Sequence, residues 1–242
     1  MSTFDEIKEI LRESLFPSDG QCVLCKRLLI FERSPFCFYC MGKVHWIGES
    51  VCEKCGKEEI YGHTRLCLDC NYNIHNYHQG IALFTYTREG KKIIQDIKFQ
   101  GNKKLGRDLG DKLGQKIKTK NWDEIHMILP VPLHPNRERE RGFNQSWEIA
   151  RGITKSISSP LVNNLLIRVR DTPHQTDLTK RERERNIKNA FSVKDQQLVV
   201  GKTILLVDDV YTTGSTINEC GKVLMDGGAE KVYFAVLAIG QR

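Results

Sequence analysis

The chain has 242 residues with ordinary proportions of hydrophobic (40%) and charged (28%) residues, enough for one large folded domain or two smaller ones. No apolar run is long enough to span a membrane and residues 1–7 carry no signal-peptide pattern, so we expect a cytoplasmic protein without membrane insertion. The net charge of +7 is unevenly distributed. Residues 1–80 carry nine Lys and Arg and eleven Asp and Glu, a net charge of −2, whereas residues 81–242 carry 28 Lys and Arg and 19 Asp and Glu, a net charge of +9. The basic second part favours anionic ligands and permits nucleic acid, although a solvated mixed-charge surface explains it as well.

Residues 1–20 are predicted to form an N-terminal amphipathic helix. Phe4, Ile7, Leu11 and Leu15 recur at helical spacing, and Pro17 ends the pattern. We expect this apolar face to pack on the segment that follows. A helix that docks onto a partner protein is the alternative.

Residues 21–75 are predicted to form a double zinc ribbon, because eight of the nine cysteines lie there in C-x-x-C pairs that begin every fifteen residues. Each pair can place two thiolates on one metal ion, so four pairs predict two structural Zn²⁺ sites. The segment is too short and polar for a large core, so metal binding would supply much of its folding free energy. The predicted ligands are Cys22, Cys25, Cys37, Cys40, Cys52, Cys55, Cys67 and Cys70.

The sequence leaves the chemistry and pairing of these cysteines partly open. Disulfides are the main alternative and are disfavoured without a secretion signal; iron–sulfur ligation is a minor one. We favour sites built from the first pair with the second and the third with the fourth, since eleven intervening residues suit a ribbon hairpin. An interleaved arrangement would use the same residues.

Residues 81–242 alternate between apolar strands and helical patterns, which predicts a doubly wound α/β domain with a mostly parallel sheet. The expected helices cover 90–119, with a break near Gly101, then 146–156 and 217–225. The expected strands are 81–87, 125–131, 165–169, 203–209 and 232–239.

A basic stretch follows the strand at 125–131. Arg137, Arg139 and Arg141 alternate with glutamates and lead into Gly-Phe-Asn-Gln at residues 142–145. A basic loop at this position can hold an anion. From composition alone, a solvated charge run is an equally good interpretation.

The segment 170–189 is a long polar connection inside an α/β unit, which suggests a functional lid. A plain surface helix with charge pairs four residues apart is the alternative. The residues that we expect to reach a ligand from this segment are Gln175, Lys180, Arg181, Arg185 and Asn186.

The most informative stretch is residues 203–216. A continuous apolar run, 204–207, leads to Asp208 and Asp209 at the end of the strand where open α/β sheets bind ligands. A turn of small residues at a helix start then offers hydroxyl and backbone donors to a phosphate. The carboxylates suit sugar hydroxyls or a divalent metal instead. The turn residues are Thr212, Thr213, Gly214, Ser215 and Thr216.

This stretch resembles the ribose-5-phosphate loop of type I phosphoribosyltransferases, which bind phosphoribosyl pyrophosphate (PRPP). The resemblance implies that Asp208 and Asp209 hold the ribose hydroxyls together with Mg²⁺, and that residues 212–216 hold the 5-phosphate. It also implies that the loop at 132–144, with its three arginines, receives the pyrophosphate, and that the segment 170–189 closes over the ligand.

Nearly the whole chain is similar to the ComF family, whose members join zinc ribbons to a phosphoribosyltransferase domain. The features that carry the resemblance are the cysteine pairs, residues 130–135 (Pro-Val-Pro-Leu-His-Pro), Arg141-Gly-Phe-Asn-Gln145 and the loop at 203–216. The family resemblance implies a type I phosphoribosyltransferase-like fold and a link to DNA uptake in natural transformation.

Three functions follow as hypotheses. The first is an enzyme that transfers phosphoribosyl from PRPP to an unidentified acceptor with loss of pyrophosphate. The second is a non-catalytic PRPP sensor or single-stranded-DNA-binding module, favoured because no hood segment for an acceptor follows the last strand. The third is an interaction protein whose acidic ribbons dock onto a DNA-uptake helicase or another competence protein.

Overall fold

The computed structural model describes residues 20–30, 32, 34–58, 65–171 and 186–241. The helix predicted over residues 1–20 therefore lies outside the described residues except for Gly20. Within the described ranges no helix is both long and apolar enough to cross a membrane. The division into segments 1–20, 21–75 and 81–242 stays a prediction.

The cysteine-rich segment is built from two copies of one unit, and the structural repeat is thirty residues rather than fifteen. Each copy begins with a hairpin turn, closed by a bridge between Gln21 and Leu28 in the first and between Val51 and Glu58 in the second. Each continues into a short helix, α1 (Phe38–Met41) or α2 (Leu68–Tyr72). The C-x-x-C pairs, fifteen residues apart in the sequence, therefore alternate between two kinds of local structure, a hairpin turn and a helix start.

Within the described residues, the part of the chain that follows the ribbon units contains a four-stranded parallel sheet. Its strands are β1 (Gln79–Thr85), β2 (Met127–Pro130), β5 (Thr203–Tyr211) and β6 (Lys231–Ile239), in the order β1-β6-β5-β2. All three pairings are parallel. A separate antiparallel pair joins β3 (Leu166–Arg168) to β4 (Phe191–Val193). The predicted strand at 165–169 therefore exists but lies outside the parallel sheet.

Helices cover both faces of the parallel sheet, as the predicted doubly wound fold requires. On β5, Leu205 and Val207 belong to one core and Ile204 and Leu206 to the other, because neighbouring side chains point to opposite faces. The first core also takes α3 (Arg88–Phe99), α4 (Lys103–Lys118) and α6 (Gln145–Ile153). The second takes α7 (Ser215–Asp226).

The two ribbon units extend these two cores instead of forming a core of their own. Cys22, Cys37 and Cys40 of the first unit are buried with residues of α3 and α4. All four cysteines of the second unit, 52–70, are buried with residues of α7. The units therefore pack on different faces of the same sheet.

The connection between the ribbon units also protects the sheet edge. Thr85 N donates to His45 O at 2.9 Å, and Ile47 N donates to Leu83 O at 3.1 Å. Residues 45–47 thus pair with the edge strand β1, whose backbone groups would otherwise be open to another chain.

Helices α4 and α6 approach each other closely through glycines. A Cβ added to Gly110 would lie 2.2 Å from Ile149 O, and one added to Gly152 would lie 2.1 Å from Arg107 O. Both obstacles are backbone atoms, which cannot rotate away. This packing fixes α6, whose first turn contributes to the site described below.

We expect Gly110→Ala to lower the free energy of unfolding by about 1–3 kcal/mol, because the added methyl group overpacks the α4–α6 contact. Gly106→Ala in the same helix is the matched control, since its Cβ would meet Glu148 Cβ at an ordinary 3.5 Å. Alanine is the better helix former, so this control should be neutral or stabilising. Urea unfolding of the two variants measures the difference, and equal midpoints would contradict the packing argument.

Candidate functional site

The site lies at the carboxyl end of β5, where one side of that strand loses its neighbour. The β2 register ends with Pro130 opposite Val207, whereas β6 continues alongside β5 to Tyr211 opposite Ile239. Asp208 and Asp209 therefore lie within β5, which continues two residues beyond the predicted end of the strand, to Tyr211. The end of β2 leaves room beside them for side chains from other elements.

Asp208 is held by the start of α6. Its Oδ1 accepts hydrogen bonds from Ser146 Oγ and from the backbone N of Asp209, both at 2.9 Å. The Asn144 side chain caps α6 by accepting from Ser146 N at 2.9 Å, and its Nδ2 donates to Val131 O at 3.0 Å. The loop that follows β2 is thereby tied to the strand that carries the carboxylate.

Asp209 has a different partner, as expected for adjacent strand residues that point to opposite faces. Lys98 Nζ lies 2.6 Å from Asp209 Oδ2, and Asp209 is buried. Lys98 comes from the last turn of α3. Lys98 and Ser146 were not predicted from the sequence to lie at this site, because only the fold brings them to β5.

The two carboxylates influence each other strongly. Burial and the neighbouring charge of Asp209 raise the pKa of Asp208 from 3.8 to about 7, against the opposing effects of Lys98, the Asp209 N–H and the Ser146 hydroxyl. A cation or a ligand hydroxyl that binds here would compensate the cost of ionising this buried group.

The arginine stretch is a short helix, not the loop predicted from the sequence. Helix α5 (Pro135–Arg141) has His134 as its N-cap and Pro135 as its first residue. Gly142 follows as its C-cap, with a left-handed φ of 80°. Proline at the first position and glycine after the last are the usual signals for helix ends. The alternating Arg and Glu residues hid the helix because they give no apolar period.

The helix separates the three arginines. Arg137 and Arg141 are one turn apart and half-buried, whereas Arg139 is exposed and donates from Nη2 to Asn136 Oδ1 at 2.6 Å. Burial lowers the pKa of Arg141, while Asp209 and Asp208 act in the opposite direction. Arg141 thus lies within electrostatic range of the carboxylates, and Arg139 faces away.

A further arginine near the site was not identified from the sequence. Arg168 on β3 is buried, and burial together with Arg137 lowers its pKa, while the Asp208 charge raises it. The sequence pattern of the strand at 165–169 did not indicate that Arg168 would lie near Asp208. Arg141 on α5 and Arg168 on β3 therefore lie within electrostatic range of Asp208.

The turn after β5 leads directly into helix α7. Gly214 is left-handed with φ 76° and caps the N-terminus of α7. The hydroxyls of Thr213 and Ser215 are hydrogen-bonded to each other. All five predicted turn residues, 212–216, are together at the end of β5, and four of them are half-buried.

The predicted lid residues Gln175, Lys180, Arg181 and Arg185 lie outside the described residues. Asn186, the fifth, is described and half-buried. The approach to this segment is anchored on α5, because Asp171 Oδ2 accepts from Asn136 Nδ2 at 2.7 Å and lies 3.3 Å from His134 Nδ1.

The eight paired cysteines form two groups, and within each group the four sulfur atoms lie within 4.8 Å of one another. The groups are Cys22, Cys25, Cys37 and Cys40, and Cys52, Cys55, Cys67 and Cys70. The Cys25–Cys37 sulfur distance is 3.8 Å and the Cys55–Cys67 distance is 3.7 Å. Zn–S bonds of about 2.3 Å in a tetrahedron place sulfurs about 3.8 Å apart, so both groups fit structural zinc with the sequential pairing that we favoured.

Comparison with known proteins matches residues 11–71 to the Double zinc ribbon domain and residues 148–242 to the Phosphoribosyl transferase domain. The chain is also 30% identical over 218 residues to the DNA utilization protein YhgH of Salmonella typhi, across 88% of this chain and 94% of that protein. The chain belongs to the ComF family.

Two further relatives of this ComF chain carry names that refer to competence. Competence protein F of Haemophilus influenzae is 29% identical, across 84% of this chain and 96% of its own length. Competence protein ComFC of Streptococcus pneumoniae is 29% identical, across 88% and 96%. The family resemblance and the phosphoribosyltransferase-like fold expected from the sequence are thereby confirmed.

The raised pKa of Asp208 predicts a pH dependence of stability. A carboxyl group whose pKa rises from 3.8 to about 7 on folding stabilises the protein while it is protonated, and this contribution is lost as pH rises through that interval. Relative to Asp208→Asn, the wild-type free energy of unfolding should fall by roughly 1–3 kcal/mol between about pH 5 and about pH 8. Urea unfolding of ligand-free protein measures it, with the exposed Asp226→Asn as control. Parallel pH profiles for wild type and Asp208→Asn would contradict the assignment.

Proposed function

We propose that this ComF protein binds PRPP at the carboxyl end of β5 and transfers its phosphoribosyl group to an acceptor, in support of DNA uptake. The observation that carries the proposal is the sequence of groups along one short segment. Two buried carboxylates, Asp208 and Asp209, are followed five residues later by a left-handed glycine, Gly214, at a helix N-terminus. These are complementary to a ribose and to a phosphate, in the order that PRPP presents them.

The carboxylates would hold the ribose hydroxyls and a Mg²⁺ ion. Their oxygen atoms are the hard donors that Mg²⁺ prefers. Asp209 Oδ2 already pairs with one cationic group, the ammonium of Lys98 at 2.6 Å, and a Mg²⁺ ion at this oxygen would take the place of that group. When bound, Mg²⁺ would neutralise charge on the pyrophosphate.

Residues 212–216 would hold the 5-phosphate. The first backbone N–H groups of α7 have no partner within the helix, and the helix dipole favours an anion there. The hydroxyls of Thr213 and Ser215 lie together beside these donors. A side chain at Gly214 is excluded, since a Cβ would lie 2.3 Å from the Tyr211 hydroxyl. A glycine in the turn would also let the backbone approach the phosphate closely.

Arg141, with Arg137 one turn away, would meet the pyrophosphate. In the transfer, the bond between ribose C1 and the pyrophosphate oxygen breaks, a bond from C1 to the acceptor forms, and pyrophosphate leaves with the electron pair. An acceptor that attacks in its neutral form loses a proton. Fixed positive groups beside the leaving oxygen stabilise the charge that develops there.

The biological setting follows from the family. Two relatives are named competence proteins and another a DNA utilization protein. We therefore place PRPP binding in the uptake and use of DNA. The net charge of +9 on residues 81–242 also suits single-stranded DNA, which makes a non-catalytic DNA-binding role the second candidate.

Calorimetric titration of PRPP into the zinc-loaded protein tests the proposal. We expect Mg²⁺-dependent binding that weakens about tenfold in Arg141→Gln, because a charge-assisted contact to the pyrophosphate is lost. Arg139→Gln is the matched control and should stay within about twofold, since Arg139 faces solvent. Ribose 5-phosphate, which lacks the pyrophosphate, should bind both variants equally.

Equal weakening by both arginine variants, or no PRPP binding by wild type, would contradict the proposal. Release of pyrophosphate from bound PRPP would support transfer. Tight PRPP binding without pyrophosphate release, whatever acceptor is added, would indicate a non-catalytic PRPP sensor. Tight, salt-dependent binding of single-stranded DNA without PRPP binding would favour the second candidate.

A further inference from the structure

The second ribbon unit is connected to the phosphate turn through Tyr77. This residue follows the unit directly and is 1% exposed. Its ring stacks on His75 with centroids 5.1 Å apart and meets Phe234 edge-on at 4.8 Å. It shares one core with the four cysteines of the second zinc group. The position of Tyr77 therefore depends on the fold of that ribbon.

Tyr77 reaches the end of β5 by a buried hydrogen bond. Its hydroxyl lies 2.8 Å from the hydroxyl of Tyr211. Burial raises the pKa of both tyrosines, so both hydroxyls stay protonated at neutral pH and one donates to the other. Losing either hydroxyl would leave a buried polar group without this partner.

Tyr211 in turn supports the phosphate turn. Its hydroxyl lies where a Cβ of residue 214 would be, 2.3 Å from that ideal position, so it rests against the backbone of Gly214. Its ring is fixed by stacking on Phe234 at 5.0 Å. Because Gly214 is in the left-handed conformation that begins α7, a shift of Tyr211 would change the direction of the donors in the turn.

A second contact joins the same segment to α7. Asn76 N donates to Asn218 Oδ1 at 2.6 Å. The carbonyl oxygen of Asn76 lies 1.9 Å from where a Cβ of Gly221 would be, so the two backbones are in direct contact. Residues 76 and 77 thus hold both the turn and the helix that it caps.

The first ribbon unit lies elsewhere and provides an internal comparison. It packs on α3 and α4, where Lys26 Nζ pairs with Asp96 Oδ1 at 3.2 Å. Its metal group is therefore on the face of the sheet away from α7.

We propose that the second zinc site, formed by Cys52, Cys55, Cys67 and Cys70, sets the conformation of the phosphate turn through the Tyr77–Tyr211 hydroxyl pair. Zinc bound there would increase affinity for phosphate-containing ligands, whereas zinc in the first site would not act on the turn. Tyr77 and Tyr211 are positioning residues in this arrangement. The identity of the ligand rests on the proposed PRPP function.

Tyr77→Phe tests the coupling with both ribbons intact. We expect PRPP affinity to fall about five- to tenfold while zinc stoichiometry stays at the wild-type value, because one buried hydroxyl loses its partner without loss of a metal ligand. Tyr233→Phe is the matched control: it also removes a tyrosine hydroxyl that is hydrogen-bonded, here to Asp123, but at the opposite end of the sheet. It should leave PRPP affinity unchanged.

Hydrogen exchange gives a readout that needs no ligand. The Asn218 amide donates to Gly214 O at 2.8 Å and reports on the first turn of α7. Its exchange should accelerate in Tyr77→Phe and in Cys67→Ser, but not in Tyr233→Phe or in Cys37→Ser of the first site. If wild type does not bind PRPP, the proposed function is wrong, and exchange alone still decides the coupling. Identical Asn218 exchange in Tyr77→Phe and Tyr233→Phe would overturn the inference.

Discussion

The buried negative charge of Asp208 and Asp209 is the constraint around which the second part is arranged. An ionised carboxylate is costly to bury unless nearby groups compensate it. Here Lys98 of α3 pairs with Asp209, and Ser146 of α6 donates to Asp208. Arg141 of α5 lies within electrostatic range of both. Three helices that are distant in the chain therefore converge on two adjacent residues of one strand.

The ribbon units solve a different problem, which is the stability of segments too small to form a core. A zinc ion replaces part of the missing hydrophobic burial in such units. In this chain the cysteines also join the cores of the α/β part, each group on its own face of the sheet. The second ribbon consequently shares a core with α7, and residues 45–47 between the ribbons cover the β1 edge.

Local patterns predicted the features that depend on local sequence. The apolar run 204–207, the carboxylates and the small-residue turn lie at the end of β5 as the sequence predicted, and the C-x-x-C spacing predicted both cysteine groups. Lys98, Ser146 and Arg168 escaped prediction because their partners are far away in sequence and no periodicity marks them. Helix α5 was not predicted, because its sequence has no apolar residues at helical spacing. Pro135 at its start and Gly142 after its end are nevertheless typical of helix ends.

A crystal structure of the zinc-loaded protein with PRPP and Mg²⁺ would show whether PRPP binds at the end of β5. We expect the 5-phosphate to lie against the backbone of residues 212–216, the ribose hydroxyls and Mg²⁺ at Asp208 and Asp209, and the pyrophosphate beside Arg141. Ligand bound elsewhere, or a turn at 212–216 that remains empty at saturating PRPP, would contradict it.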